Sequence, residues 1–262
     1  MALPLLHVDA FTDIPFRGNP AAVCLLDGAR SSDWMQAVAA ELALPATAFL
    51  RPDGDGFGLA WFSPTTELSL CGHGTLASAH ALWETGRLAP AMTARFQTAN
   101  GALSAVQRDG VISLDLAAER AVAVPAPVGL LDALGVKARF IGRNRLDYVI
   151  ELDDEAAVRA VTPDFAALAA VDTRGVSVTA RATTPGVDFV SRFFAPRAGI
   201  PEDAVTGSAH CCLGPLWSER LGRARLVGLQ ISARTGVVRV ETAGDRVALG
   251  GHAVTVLRGE LR

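Results

Sequence analysis

The sequence predicts an α+β protein made of two domains of similar size. Short strand-like runs recur along the chain, turn dipeptides separate several of them, and two similar glycine-rich stretches each precede a helical segment. A chain of 262 residues, half of them apolar, can form one large core or two ordinary ones. We therefore expect two small domains, each with a sheet and a central helix.

Strands are predicted from runs that are short, often alternating, and bounded by Gly, Pro or Asp. Turn signals at Asn100-Gly101, Asp109-Gly110 and Gly244-Asp245 lie between such runs and are typical of hairpins. Neighbouring strands should therefore pair antiparallel. The runs are PLLHVDAF, AAVCLLD, GLAWFS, VISLDL, DYVIEL, DFVSRFFA, VVRVE and AVTVLRG.

The first predicted helix begins at a cap formed by Ser32. Its apolar residues, Met35, Val38, Ala39 and Leu42, recur at three- and four-residue spacing and form one stripe. This spacing indicates a helix that packs one face against a sheet.

Two further helices follow the glycine-rich stretches. One is expected over 74–83 and ends near Gly86, and the other is expected over 208–221 and ends at Gly222. Pro215 should kink or divide the second of them, because proline cannot donate a backbone hydrogen bond.

The stretch AAERAVAVPAP, residues 117–127, lacks strand alternation and contains two prolines, so it is a candidate linker. It separates a first domain over 1–116 from a second over 128–246. The segments CGHGTLASAH at 71–80 and VTGSAHCCLG at 205–214 are similar, which indicates a weak internal repeat. Chance similarity of small residues is the alternative.

Charge and composition exclude several classes of function. The net charge is -3, the pI is near 6.0 and the basic residues are scattered, so a nucleic-acid partner is not expected. No apolar run approaches the ~20 residues needed to cross a bilayer, and the N-terminal segment lacks a basic region. We expect a cytoplasmic protein with no membrane partner.

The sequence also lacks patterns for disulfides, metals and nucleotides. Its four cysteines form no framework or C-x-x-C pair, and its five histidines have no metal-binding spacing. Glycine motifs for nucleotide phosphates are absent. We therefore expect no cofactor and no metal, although metal ligands that converge only in the folded chain need not show such a spacing.

The two glycine-rich turns are candidates for binding an anion such as a carboxylate. Helix starts leave backbone N–H groups unpaired and carry partial positive charge. Gly72, Gly74 and Gly207 allow close approach of a ligand, while Thr75, Thr206 and Ser208 supply hydroxyl groups. Ordinary helix caps are the competing interpretation.

Proton-handling groups lie beside these turns. His73 stands between two glycines, and Asp203 precedes the second turn, so either side chain can move a proton. Cys71 can be a thiolate at a helix start or a small buried apolar group. Cys211 and Cys212 are expected in the core.

Several motifs in order resemble the phenazine biosynthesis PhzF-like family of isomerases, relatives of diaminopimelate epimerase and proline racemase in fold. They are HVDAFTDIPFRGNPAAVCLLD, WFSPTTELSLCGHGTLASAH, RFFAPRAGIPEDAVTGSAHCCLGPLW and GGHAVTVLRGEL. The resemblance implies a diaminopimelate epimerase-like fold, with two curled antiparallel sheets, each around a central helix, and the active site between the domains. It also implies that C-terminal strands over 247–262 complete the first domain, and that the protein can form a homodimer.

The resemblance further implies a proton shift without metal or organic cofactor. The enzyme that names the family isomerises dihydro-hydroxyanthranilate in this way, using a carboxylate. The family's histidine, aspartate and helix-capping serine match His73, Asp203 and Ser208. Its proton-carrying glutamate matches Ala46, within LPATAFL.

Ala46 leaves two functions open. One is a cofactor-independent isomerase of a small carboxylate or cyclic amino acid, in which Glu67 could replace the missing glutamate. The other is a regulatory or binding protein without turnover, and an introduced substitution is a further explanation of Ala46. The racemase branch uses two thiols, but the counterpart of Cys71 is expected at Ala204, which disfavours that mechanism.

Overall fold

The computed structural model describes residues 2–262 and divides them into two compact units. The first unit runs to Leu116 and takes up Gly250–Arg262 from the C-terminus, while the second comprises Ala117–Leu249. Each unit contains a mostly antiparallel sheet and a buried helix. The predicted α+β class is confirmed.

Most secondary-structure elements follow one another in the same order in both units, but the second unit begins with an additional short strand and helix and has two short helices where the first has one. The first unit contains helices α1 (Ser32–Leu42) and α2 (Gly72–Glu84) and strands β1 (Leu3–Ala10), β2 (Asn19–Leu25), β3 (Ala46–Asp53), β4 (Gly56–Phe62), β5 (Glu67–Leu68), β6 (Ala94–Thr98), β7 (Gly101–Arg108), β8 (Val111–Ala117) and β18 (Ala253–Leu261). The second contains helices α3 (Leu130–Leu134), α4 (Glu155–Ala160), α5 (Phe165–Ala170) and α6 (Gly207–Leu221), a 3₁₀ turn at Pro196–Ala198, and strands β9 (Val122–Ala123), β10 (Phe140–Arg143), β11 (Asp147–Glu151), β12 (Gly175–Arg181), β13 (Phe189–Ala195), β14 (Ile200–Asp203), β15 (Arg225–Gln230) and β16 (Gly236–Ala243). Strand β17 (Arg246–Gly251) crosses the boundary between the units along the chain.

Strand pairing repeats between the two units. In the first, β1–β2 is antiparallel, β2–β3 parallel, β3–β4 antiparallel, β4–β6 parallel and β6–β7 antiparallel. In the second, β10–β11, β11–β12, β12–β13, β13–β15 and β15–β16 pair in the same five senses. The short strands β5 and β14 then lead to the corresponding helices α2 and α6. The weak repeat in the sequence therefore reflects two copies of one topology.

The two parallel steps in each sheet differ from the expected antiparallel pairing. Helix α1 connects β2 to β3, and helices α4 and α5 connect β11 to β12. Helices α2 and α6 lie within the other two parallel connections. A parallel pair needs such a long crossover, whereas a two-residue turn can only join antiparallel strands. The turn signals in the sequence mark the hairpins alone.

Helix α1 packs its predicted apolar stripe on one face of the first sheet. The Trp34 ring meets the Phe49 ring at 6.0 Å between centroids, and Phe49 meets Phe62 at 5.7 Å. Val38 and Ala39 are buried in this cluster. The cap is Ser31 rather than Ser32, because the Ser31 hydroxyl accepts the Trp34 N–H.

Helix α2 is buried over most of its length, as expected for a helix at the centre of a unit. Its final residues are followed by Gly86, whose φ of +69° ends the helical path. Within residues 2–262 no helix is long and apolar enough to cross a bilayer.

Helix α6 continues through Pro215 over 15 residues, so the expected division of this helix is wrong. Proline removes one helical donor, which leaves the carbonyl four residues earlier, at Cys211, without its helical partner. The N–H of Glu119 donates to that carbonyl at 3.0 Å. A neighbouring segment thus replaces the missing hydrogen bond.

That neighbouring segment lies in the stretch predicted as a linker. The N–H of Ala118 donates to the Asp245 carbonyl at 2.8 Å, and β9 pairs with β10. The two prolines follow these contacts. The linker prediction is wrong for residues 118–124, which are hydrogen-bonded within the second unit.

Glu155 connects α4 to the loop after β12, and we expect Glu155→Gln to lower stability by about 2–3 kcal/mol at neutral pH. Burial alone would raise its pKa, but hydrogen bonds from Arg159, Thr184 and Thr183 outweigh burial and lower the pKa to about 2. Because the folded-state pKa is depressed, the stabilisation is present above about pH 4.5 and is lost as the pH falls toward 2.

Urea unfolding of the variant and of wild type at pH 7 and pH 3 measures this effect. The difference between the two proteins should shrink at pH 3, where Glu155 of the unfolded chain has bound a proton while Glu155 of the folded protein is still mostly ionised. Asp172→Asn, at a side chain that is 94 % exposed, is the matched control. An equal loss at both pH values would contradict the electrostatic explanation.

Candidate active site

The first turn of α2 is organised by Cys71. This residue is the N-cap, with extended backbone (φ −142°, ψ 97°), and its Sγ accepts the Gly74 N–H at 3.3 Å. The His73 ring lies beside the same sulfur, with Nδ1 at 3.6 Å and Nε2 at 3.8 Å. The structure therefore brings the predicted His73 together with a buried thiol.

The glycines of this turn have different surroundings. Gly72 is the first residue of α2 and is partly exposed, whereas Gly74 is buried. A Cβ on Gly74 would lie 2.9 Å from both Cys71 Sγ and Trp61 Cδ1. Gly74 is therefore required by close packing within the first unit.

The hydroxyl of Thr75 is used within the helix. It donates to the Cys71 carbonyl at 2.7 Å, and Thr75 is 1 % exposed. This contact fixes the first turn and leaves the hydroxyl no free donor. Substrate binding by Thr75 stays a prediction that this contact does not favour.

Ala46 is the first residue of β3, is fully buried, and shares a sheet face with Trp61. Ala48 pairs directly with Trp61 in the antiparallel β3–β4 ladder, and alternation places Ala46 on the same side as Ala48. Trp61 contacts the start of α2 at Gly74. Position 46 therefore faces the side of the sheet on which α2 lies.

Glu67 lies on the other face. Glu67 pairs directly with Phe62, whose ring packs against Phe49 on the side of the sheet that α1 covers. The side chain of Glu67 is exposed. Residues directly opposite in an antiparallel pair share a face. The proposal that Glu67 replaces a carboxylate at position 46 is therefore wrong.

In the second unit, a hydrogen-bond network holds Asp203 just before α6. The Thr206 hydroxyl donates to Asp203 Oδ2 at 2.6 Å. Gln230 Nε2 donates to the Asp203 carbonyl at 2.8 Å, while Gln230 Oε1 accepts the Thr206 N–H at 2.9 Å. The carboxylate is thus fixed in orientation and remains partly exposed.

Ser208 and Gly207 form the first turn of α6. Gly207 is buried, and Ser208 Oγ accepts a hydrogen bond from Arg174 Nη2 at 3.0 Å. Arg174 also makes a bidentate contact with the buried Asp147. The Ser208 hydroxyl keeps its own proton for donation to a ligand.

The helix starts correspond residue by residue, which corrects one prediction. Thr206 is the N-cap of α6, with φ −106° and ψ 97°, as Cys71 is the N-cap of α2. The counterpart of Cys71 is therefore Thr206 rather than Ala204. A hydroxyl at this position is consistent with the expectation that this chain lacks a second catalytic thiol.

His210, Cys211 and Cys212 of α6 are buried in the core, whereas the polar residues at the C-terminal end of the helix are not. His210 Nδ1 donates to the Thr206 carbonyl at 2.9 Å, and burial lowers the pKa of His210 to about 4. Burial also disfavours the charged form of a thiol, and it raises the pKa of Cys211 to about 12 and that of Cys212 to about 11. These three side chains are neutral at physiological pH, as expected for core residues. Among residues 2–262, no three His, Cys, Asp or Glu side chains are grouped as a metal site.

Sequence reasoning missed four residues that shape these two helix starts: Trp61, Asp147, Arg174 and Gln230. Each is far along the chain from the residue that it contacts or holds. Arg174 is the residue before β12, the position equivalent to Pro45 before β3. Extending the internal repeat to the third strand of each half would therefore mark position 174 but not the contacts of Arg174.

Comparison with known proteins identifies the family. The family model described as phenazine biosynthesis-like protein (PhzC-PhzF) matches residues 8–259. The chain belongs to this family. It is 48 % identical over 262 residues to a protein of Halalkalibacterium halodurans named an uncharacterized isomerase, covering 100 % of this chain and 99 % of that one.

Solved structures agree with this assignment. A PhzF family protein from Enterococcus faecalis superposes with a TM-score of 0.95 and 39 % identity, covering 100 % of both chains. A hydroxyproline epimerase from Agrobacterium vitis has a TM-score of 0.63 and 13 % identity, covering 99 % of this chain and 92 % of that chain. The second comparison supports a shared fold with epimerases. The chain is thus a member of an isomerase-like family with a diaminopimelate epimerase-like fold.

Proposed function

We propose that this protein is a cofactor-independent isomerase that shifts a proton on a small carboxylate or cyclic amino acid. The placement of Asp203 carries the proposal. Its carboxylate precedes α6, is oriented by the Thr206 hydroxyl, and is partly exposed. A carboxylate fixed in this way can accept a proton from a carbon acid and return it.

The start of α6 supports binding of an anionic substrate beside that carboxylate. The Thr206 side chain makes no cap hydrogen bond to α6, because its hydroxyl donates to Asp203 instead. The N–H groups of the first turn and the Ser208 hydroxyl can therefore bind a substrate carboxylate. Arg174 adds positive charge beside Ser208.

His73 supplies the acid–base group of the first unit in this proposal. Its ring is partly exposed and lies against Cys71, so it can exchange a proton with that thiol or with substrate. Gly72 and the first turn of α2 form a second helix start for an anion. The assignment of His73 and Asp203 to one reaction rests on the family resemblance.

A regulatory or ligand-binding protein without turnover is the second candidate function, and Ala46 favours it. The methyl side chain cannot carry a proton, and Glu67 lies on the wrong face to replace it. In this alternative, the helix starts bind a carboxylate but catalyse no reaction.

Deuterium incorporation from solvent distinguishes the two functions. We expect the protein in deuterium oxide to label at least one compound among dihydro-hydroxyanthranilate, proline, trans-4-hydroxyproline and simple carboxylates, as followed by mass spectrometry. A proton-shifting enzyme exchanges label even when net conversion is small. Dialysis against a chelator should leave the rate unchanged.

Heat-denatured protein is the control for uncatalysed exchange. If none of these compounds is labelled while calorimetry shows that they bind, the binding-protein function is supported and the isomerase is contradicted. If a chelator removes activity and added zinc or magnesium restores it, the cofactor-free mechanism is wrong.

A further inference from the structure

We infer that Gln230 is a positioning residue that keeps Asp203 a proton acceptor, because it fixes the direction in which the Thr206 hydroxyl donates. This inference rests on the proposed isomerase function and names the residue that prepares its carboxylate. Three observations support it: the strand register that brings Gln230 to Asp203, the hydrogen bonds of the Gln230 amide, and a comparison with the equivalent position in the first unit.

Strands β14 and β15 lie along the same edge of β13, since β12 pairs with the other edge. Gln230, the last residue of β15, pairs with Ser191, and Asp203, the last residue of β14, pairs with Phe193. Ser191 and Phe193 are two residues apart on β13, which is roughly 7 Å in an extended strand. The register therefore brings the fully buried Gln230 close to Asp203, although 27 positions separate them along the chain.

The Thr206 backbone fixes the orientation of the Gln230 amide. A backbone N–H can only donate, so the amide atom 2.9 Å from the Thr206 nitrogen must be the oxygen, Oε1. The amide nitrogen, Nε2, then donates to the Asp203 carbonyl at 2.8 Å and to the Thr206 hydroxyl oxygen at 3.3 Å. The opposite orientation would lose the hydrogen bonds to the Thr206 N–H and to the Asp203 carbonyl.

This orientation of the amide determines the direction of the Thr206 hydroxyl. Because Nε2 of Gln230 donates to the hydroxyl oxygen, the hydroxyl proton is directed to its other neighbour, Asp203 Oδ2, at 2.6 Å. The hydroxyl carries one proton, so Oδ2 must accept. Asp203 is thus held in the form that takes a proton from a substrate.

The first unit shows the other outcome. Thr98 ends β6, the strand equivalent to β15, and therefore occupies the position of Gln230. Its hydroxyl donates to the Gly101 carbonyl at 2.7 Å, within the β6–β7 hairpin. The N-cap of α2, Cys71, accepts a hydrogen bond from its own helix, whereas Thr206 makes no side-chain cap bond to α6. The unit with glutamine at this position is the one in which the cap side chain turns from its helix to a carboxylate.

Thr206→Ser and Thr206→Val test the role of the hydroxyl. Serine keeps the hydroxyl, while valine has a similar shape without it. We expect Thr206→Ser to exchange deuterium within about threefold of the wild-type rate. Thr206→Val should lose at least about tenfold at saturating probe, with little change in KM, as expected for loss of a hydrogen bond to a charged group. The probe is dihydro-hydroxyanthranilate, or trans-4-hydroxyproline if wild type labels only that compound.

Gln230→Glu tests whether Gln230 acts through Thr206. A glutamate keeps an oxygen for the Thr206 N–H but has at most one proton, which the nearer acceptor, the Asp203 carbonyl, would take. We expect exchange to fall at least about tenfold, with no further loss when this change is combined with Thr206→Val, because both remove one interaction. Gln97→Glu, the same change at an exposed position of β6, is the matched control and should leave the rate unchanged.

Thermal unfolding and the Kd of the probe separate an effect on the reaction from effects on the fold and on binding. If Gln230→Glu does not fold, the comparison of Thr206→Val with Thr206→Ser still decides. A Thr206→Val rate within about threefold of wild type, additive losses in the double variant, or a rise in Kd that equals the loss of exchange overturns the inference and leaves the isomerase intact. If wild type labels none of the proposed compounds, the proposed function fails and the inference fails with it.

Discussion

Asp203→Asn is expected to abolish deuterium exchange while leaving ligand binding nearly unchanged. The amide has the shape of the carboxylate, and its oxygen can still accept the Thr206 hydroxyl that now donates to Asp203 Oδ2 at 2.6 Å. The amide cannot accept a proton, so the loss should reach ~10²–10⁴-fold. Exchange rates with the labelled compound, together with its Kd from calorimetry, measure the two effects separately.

Asp172→Asn is the matched control, because it makes the same chemical change at an exposed carboxylate of the second unit. It should leave exchange unchanged. A parallel loss of binding in Asp203→Asn would make Asp203 a ligand contact rather than a proton carrier. Combining Asp203→Asn with His73→Gln tests whether both act in one reaction, since residues of a single step give non-additive losses.

Local chemistry made much of the fold predictable from the sequence. The hairpin between β7 and β8 contains Asp109 and Gly110, both with positive φ, which is the geometry that an Asp-Gly turn favours. The C-cap of α6 is Gly222 in the left-handed region, as expected from its position in the sequence. These features depend on a few adjacent residues, and such residues determine them directly.

Features that depend on distant contacts were not predictable in this way. Pro215 lies in an unbroken helix because Glu119, nearly 100 residues earlier, donates to the carbonyl that proline leaves without a helical partner. The parallel strand pairs depend on helical crossovers rather than on turn residues. Sequence patterns identify neither a hydrogen-bond donor far along the chain nor the partner of a parallel strand.

The same distinction applies to the candidate site. The glycine turns revealed where α2 and α6 begin, since small and polar residues are required there. They did not reveal Gln230, which holds both Thr206 and Asp203 from a strand after α6. The sequence therefore located groups that can do chemistry, whereas the groups that orient them were found only in the folded chain.

The correspondence of Cys71 with Thr206 shows how the two halves have diverged. Each is an N-cap in an extended conformation, but Cys71 accepts a hydrogen bond from its helix, whereas the Thr206 hydroxyl donates to Asp203. One helix start therefore presents a thiol, and the other presents an oriented carboxylate. Two copies of one topology thus supply different chemical groups.

Ala46→Glu is expected to raise proton exchange on dihydro-hydroxyanthranilate by at least about tenfold. The new carboxylate would extend from β3 on the face shared with Trp61, toward the side of the sheet on which α2 lies. General acid–base catalysis typically contributes ~10²–10⁴-fold, and the lower expectation allows for imperfect placement of the side chain. Rates of deuterium incorporation at equal protein concentration measure the gain.

Ala46→Gln is the matched control for this variant, because it adds the same bulk at a fully buried position without a group that carries protons. Both variants should be compared with wild type by thermal unfolding, since a larger side chain in a packed site can destabilise the fold. A gain in Ala46→Glu that is absent from Ala46→Gln would identify the carboxylate as its cause. If Ala46→Glu folds and binds the compound but exchanges no faster than wild type, the site has diverged beyond one residue, which would favour a different substrate or the binding-protein function.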